Sequence, residues 1–150
     1  MLKILSNQYL QLLFRLFLGF IFIFAGIEKI SEPSAFSNAI YNYKLLPISL
    51  VNFFAITLPW IELTAGLLLM FGVYAKENSL IIAVLLIIFF MAIAISLTRG
   101  LNIECGCFGT SNGSKIGLVK LGENLILILI SSLLMKFGSV LFSLKGNSNN

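Results

Sequence analysis

Apolar residues run almost unbroken through four stretches of this chain, at 9–30, 48–73, 79–97 and 121–142. Each meets the length of roughly 20 residues that a helix needs to cross bilayer hydrocarbon. The second is long enough to tilt or kink, and Pro59 within it frees the carbonyl of Ala55. The fourth is interrupted by Lys136, close enough to its end to snorkel to the surface. The first contains Arg15, is too long for a signal-peptide core and lacks a small-residue cleavage site, so it reads as a membrane helix. Between the first two stretches the pattern changes. Pro33 suits the first turn of a helix, and Phe36, Ile40 and Tyr43 recur at i, i+4 and i+7 while Ser34, Asn38 and Asn42 lie off that line. This predicts a short amphipathic helix in the interface, ended near Pro47. The expected fold is all-α: a four-helix transmembrane bundle with a short interfacial helix in the first loop. One domain covers residues 1–145, and residues 146–150 form a polar, disordered tail.

Composition agrees with the pattern. The chain is 59% apolar and 11% charged, against roughly 45–50% and about 25% for soluble domains. Its mean hydropathy is +1.02. An integral membrane protein is implied. The net charge of +4 comes with no basic stripe to follow a phosphate backbone, so no nucleic-acid partner is expected; the partner of most of the surface is the lipid bilayer.

Four spans put both termini on one side, together with a tight second turn at Lys76 and Glu77. Lys3, Lys76, Lys136 and Lys145 lie on that side, and Lys29, Lys44, Arg99, Lys115 and Lys120 on the other. This near-balance of positive charge gives no orientation. The cysteines give one, because a disulfide persists on the oxidising side of a membrane. The expectation is a multi-pass protein of the inner (cytoplasmic) membrane with its cysteine loop extracytoplasmic and both termini inside.

Two charges fall well inside the spans. At 1.5 Å per residue, Arg15 is roughly 22 Å and Glu62 roughly 21 Å from the cysteine side. An isolated charge near mid-bilayer costs about 2.5–3.5 kcal/mol, so an Arg15–Glu62 ion pair is expected. Arg15, Gly19, Phe22, Gly26 and Lys29 share one stripe of the first helix, and Pro59, Glu62 and Gly66 share one of the second. The preferred reading of the pair is a lock between these helices, since no histidine exists to serve a proton relay.

The chain has two cysteines, in Cys105-Gly106-Cys107-Phe108-Gly109, between the third and fourth stretches. A Cys-x-Cys pair stores two electrons as dithiol or disulfide and passes them on by thiolate attack. Gly106 and Gly109 give the backbone the freedom that so small a disulfide ring requires. Arg99 and Lys115 are close in sequence and lower a thiol pKa, while Glu104 raises it. Zinc or an iron–sulfur cluster wants four ligands, so no metal site is expected. Inert cysteines usually sit in apolar helix faces; these lie in a glycine-rich loop, which favours redox chemistry.

Together the segments resemble a known family. Arg15, Gly26-Ile27-Glu28-Lys29, Pro33, Phe36, Tyr43-Lys44-Leu45-Leu46-Pro47, Leu58-Pro59-Trp60-Ile61-Glu62, Gly66, Arg99-Gly100 and the Cys-Gly-Cys-Phe-Gly run follow in order. The chain from about Gln8 to Phe142 is similar to the MauE branch of the DoxX-like membrane proteins. The resemblance implies a four-helix, redox-associated membrane protein. It also implies a link to maturation of a disulfide-rich dehydrogenase subunit in methylamine utilisation, often beside thioredoxin-like proteins. A single cysteine pair sets the chain apart from the DsbB and vitamin K epoxide reductase bundles, which relay electrons through a second pair.

Three functions are therefore in contention. In the first, Cys105 and Cys107 exchange electrons with an extracytoplasmic thioredoxin-like partner. In the second, they form a permanent clip in a non-catalytic scaffold or assembly factor. In the third, the chain is a quinone or small-molecule binding subunit built around Arg15 and Glu62, although the sequence makes no cofactor evident.

Overall fold

A computed structural model describes residues 7–100 and 118–137. The described residues fold into five helices: α1 (Gln8–Ser31), α2 (Pro33–Asn42), α3 (Ile48–Met70), α4 (Ala75–Thr98) and α5 (Leu118–Phe137). The cysteine segment, the end of the fourth apolar stretch and the 146–150 tail lie outside the described residues.

Local chemistry sets the helix ends. Asn7 caps α1, its Oδ1 accepting the Tyr9 N–H at 3.1 Å. Pro33 opens α2 at its first turn, where a missing N–H does no harm. That helix stops at Asn42, and Lys44 then turns the chain with φ +50°. The connection between α3 and α4 uses Gly72 at φ +71° and Tyr74 at φ +46°. The Asn78 amide, donating to the carbonyls of Val73 and Tyr74 at 2.7 and 3.2 Å, ties this turn down. The turn is thus at residues 71–74. Lys76 and Glu77, expected in the turn, instead belong to the first turn of α4, where a carboxylate is favoured by the helix dipole.

Among the described residues, three helices, α1, α3 and α4, are long and apolar enough to cross a membrane. The fourth expected span coincides with a helix, α5, of 20 residues. Glu123 and Asn124 near its start and Lys136 near its end interrupt its apolar run.

The main pairings are α1 against α3 and α4 against α5. Small residues bring the first pair together. A Cβ on Gly19 would lie 2.9 Å from the carbonyl oxygen of Gly66, and one on Gly26 would lie 3.0 Å from that of Pro59. Only glycine permits such backbone contact. Leu18, Phe22, Ala65, Leu69, Ile82, Leu86, Leu127 and Leu134 fill the centre of the bundle. A second, smaller apolar cluster joins Tyr43 and Ile93 with Phe89, Leu97 and Leu121.

The outer surface is apolar too. Phe17, Phe20, Phe24 and Ile27 of α1, Ile56 and Trp60 of α3 and Ile87 and Ile88 of α4 are all exposed. Hydroxyls on this surface bond back into their own helix, as Thr57 does to the Phe53 carbonyl and Thr64 to that of Trp60, each at 2.8 Å. No water is needed to satisfy them, which suits contact with lipid. The chain is a membrane protein.

Candidate functional site

The two glycine contacts fix the register of the antiparallel α1–α3 pair. Arg15 lies one turn before Gly19, and Glu62 lies one turn before Gly66. They therefore sit on opposite sides of the Gly19–Gly66 contact, separated by about 12 Å along the axis. Side chains lean toward the N-terminus of their own helix. For these two residues that direction is away from each other.

The same rule brings a different cation to Glu62. Lys29 follows Gly26 by one turn, and Glu62 follows Pro59 by one turn. Both lean back toward the place where Gly26 meets Pro59, and there they converge. Lys29 Nζ donates to Glu62 Oε1 at 2.8 Å and to Oε2 at 2.7 Å. Each residue is only 1% exposed. The expected Arg15–Glu62 pair is thus replaced by Lys29–Glu62. Counting depth from the helix ends misled because α3 begins about six residues beyond the level where α1 stops.

Two aromatic rings complete the surroundings of the ammonium. Its nitrogen is 5.1 Å from the ring centroid of Phe36 on α2 and 5.0 Å from that of Phe89 on α4. A desolvated cation–π contact is worth about 2 kcal/mol or more. One buried charge thereby engages α1, α2, α3 and α4. It also explains why α2 is held against the bundle: Phe36 and Ala39 are buried, Tyr43 joins the second apolar cluster, and Ser37 Oγ contacts Asn52 Oδ1 at 3.3 Å.

The remaining site residues divide into two groups. Arg15 is buried near the opposite end of α1, on the same face as Gln11. Arg99 is exposed and ends α4, its N–H donating to the Ile95 carbonyl while the Gly100 N–H donates to that of Leu97. Glu104, Cys105, Gly106, Cys107, Phe108 and Gly109 lie outside the described residues. Their segment leaves α4 after Gly100 and returns at α5, the end of the bundle that also holds α2 and Lys29. Lys29 and Phe89 were missed as site residues. The signal for Lys29 is present in the sequence, since it shares the Gly19–Phe22–Gly26 stripe, but its place near the end of an apolar run also fits a charge flanking the membrane. Phe89 lies in an unbroken apolar run and carries no such signal.

A helical membrane protein with a buried lysine–carboxylate pair is the class that this geometry defines. The family model for "Methylamine utilisation protein MauE" matches residues 7–137, and the chain belongs to this family. It is similar to proteins named "Methylamine utilization protein MauE" from several organisms. It is 33% identical over 111 residues to the one from Methylorubrum extorquens, covering 73% of this chain and 60% of that protein. The Methylophilus methylotrophus protein is 35% identical over 105 residues, covering 69% and 55% respectively. For Paracoccus versutus the values are 30% over 126 residues, covering 83% and 68%. The chain thus spans about 55–60% of the length of the first two relatives. No solved structure matches.

Proposed function

We propose that this chain is the membrane component of a thiol–disulfide exchange step in the pathway for which its relatives are named. Cys105 and Cys107 are its only cysteines, one residue apart, between α4 and α5. This pairing carries the reading. α5 acts as the fourth span, both termini are cytoplasmic, and the cysteine segment faces the extracytoplasmic side.

In the direction that reduces the partner, the thiolate of one cysteine attacks the disulfide of an oxidised thioredoxin-like protein and expels one of its sulfurs as a thiolate. The second cysteine then attacks the mixed disulfide. The chain ends as disulfide and the partner as dithiol, with two electrons transferred. The reverse sequence oxidises the partner. Gly106 and Gly109 let the loop close the small ring; Arg99, at the end of α4, favours the thiolate over the thiol. The disulfide-rich subunit of an amine dehydrogenase is the downstream client.

The test is mixed-disulfide trapping in intact cells. One of Cys105→Ser and Cys107→Ser, the variant that retains the attacking sulfur, traps a covalent partner, and the other traps little. Full function of the double serine variant sinks the exchange reading. It would promote the second reading, a scaffold, which the four-helix engagement of Lys29 favours because that arrangement makes the bundle rigid.

A further inference from the structure

Helix α1 stops short of its neighbours at one end of the bundle. The glycine contacts place its last residue about level with Phe54, so the start of α3 stands roughly 9 Å above it. α4 overshoots as well. Its Phe89 faces the ammonium of Lys29, close to the end of α1, and α4 then runs on to Thr98, roughly 13 Å further. α2 fills the step between them. Its Phe36 and Ala39 are buried, Tyr43 just past its end clusters with Ile93 of α4, and Ser37 Oγ meets Asn52 Oδ1 of α3 at 3.3 Å. The polar residues Ser34, Asn38 and Asn42 are exposed on its outer side.

Beneath α2 lies the Lys29–Glu62 pair. Lys29 is buried although it is close to a helix end, and the buried ring of Phe36 lies 5.1 Å from its ammonium. Phe36 therefore stands between the pair and the solvent on that side. The hold of α2 on the bundle is slight beside that of the long helices. So short a helix is marginal by itself in water, only Phe36 and Ala39 of its residues are buried, and the glycine contacts lock α1 to α3 without it. Its attachments can also pivot. Glu32, the single residue between α1 and α2, has ψ +67°, outside the helical range, and Lys44 beyond the other end is left-handed at φ +50°. Both are charged and exposed. A segment with few buried contacts opens locally at lower free energy than the core does.

We propose that α2 is a hinged plug over the ion pair. It lifts about Glu32 and the 43–47 connection, with the contact between Lys29 and Phe36 as its latch, while α1, α3 and α4 stay packed. Seated, it keeps the pair dry. Lifted, it opens a water-filled step with Lys29 and Glu62 at the floor and carries Phe36 away from the ammonium. Water then takes the place of the ring, so neither charge is stranded, and the long stem of Lys29 can follow the water upward. The bundle thus has a second form that presents one cation and one anion at the face where α2 now sits. This inference is independent of the cysteine chemistry.

Carbodiimide coupling of the purified full chain in lipid nanodiscs tests the proposal. The reagent activates a carboxylate, and an adjacent amine displaces it as a urea, so Lys29 and Glu62 become joined by an amide. Mass spectrometry reads the product as a link between α1 and α3 peptides, one water lighter than their sum. A charged, water-soluble carbodiimide should couple the wild type slowly and Phe36→Leu at least tenfold faster, with Phe89→Leu near the wild type. Both substitutions remove a ring from the ammonium, but only the first unlatches α2. A second arm does not depend on the folding of Phe36→Leu. Ser37→Cys/Asn52→Cys in the Cys105→Ser/Cys107→Ser background, closed by a disulfide, should stop the coupling, and reduction should restore it. An acceleration of Phe36→Leu below tenfold, or one that Phe89→Leu matches, overturns the plug, as does coupling that ignores the disulfide. So does coupling by a lipid-soluble carbodiimide alone, which would bring the reagent from the bilayer, or no coupling by either reagent.

Discussion

The α1–α3 and α4–α5 pairs solve the same problem, adhesion of two helices in lipid, by different means. In α1–α3, backbones touch at glycines and an ion pair with both carboxylate oxygens engaged sits one turn from the contact. In α4–α5, leucines and isoleucines fill the space and one hydroxyl reaches a backbone carbonyl. Lipid tails are as apolar as leucine, so hydrophobicity gives helices no reason to prefer each other there. Close backbone contact and buried polar bonds supply that reason in the first pair, whereas the second leans on shape. The first pair should therefore be brittle, failing at single atoms, and the second tolerant.

The largest break is expected at the ion pair. Lys29→Met or Glu62→Gln alone leaves a buried group without its partner and should destabilise the fold by about 3–5 kcal/mol, read as loss of folded protein in detergent. The double variant should recover much of that loss, because neither charge remains. Strictly additive losses would mean that the residues act separately. Arg15→Met with Glu62→Gln, by contrast, should show no such recovery.

Next comes the glycine contact. Gly66→Ala places a methyl group 2.9 Å from the Gly19 carbonyl oxygen. Overpacking of this kind typically costs 1–3 kcal/mol, and a lower midpoint of thermal unfolding checks it. Gly122 on α5 is the control in the other pair, since nothing lies within 4 Å of a Cβ there. Gly122→Ala should raise stability by roughly 0.5–1 kcal/mol through helix propensity alone. A destabilised Gly122→Ala would show that this face of α5 is covered. The smallest effect is expected for Ser131→Ala, which removes one interhelical hydrogen bond at about 0.6 kcal/mol. A loss above 2 kcal/mol would mean that α4–α5 depends on polar bonding as much as α1–α3 does.

What could be read from the sequence follows the range of the interactions involved. The short helix after α1 was legible because its determinants are local: Pro33 to start it, Phe36 and Tyr43 to face inward, Pro47 beyond its end. The apolar runs marked α1, α3 and α4 for the same reason. The partner of Glu62 was not legible. It depends on how far α3 slides along α1, and Gly19, Gly26 and Gly66 set that offset through contacts 33 to 47 residues apart in sequence. The α3–α4 turn was misplaced by a few residues because Gly72, and not the charged Lys76-Glu77 pair, makes the reversal. The cysteine segment remains legible by sequence alone. Its two cysteines, one residue apart, and its glycines are features of the sequence, and the exchange chemistry proposed for them rests on those features.

The Lys29–Glu62 pair also constrains how the protein is made. Lys29 precedes Glu62 by 33 residues, and at 5–20 residues per second the ribosome takes roughly two to seven seconds to bridge that gap. During this interval α1 holds an ammonium group without Glu62, the carboxylate it meets in the folded bundle. Lys29 lies two residues from the helix end, so its long stem can lift the charge to the headgroups while the remainder of α1 stays in hydrocarbon. The arrival of α3 then draws that charge inward. Assembly of the bundle is thereby ordered in time, and α1 takes its final depth only after its partner has been synthesised.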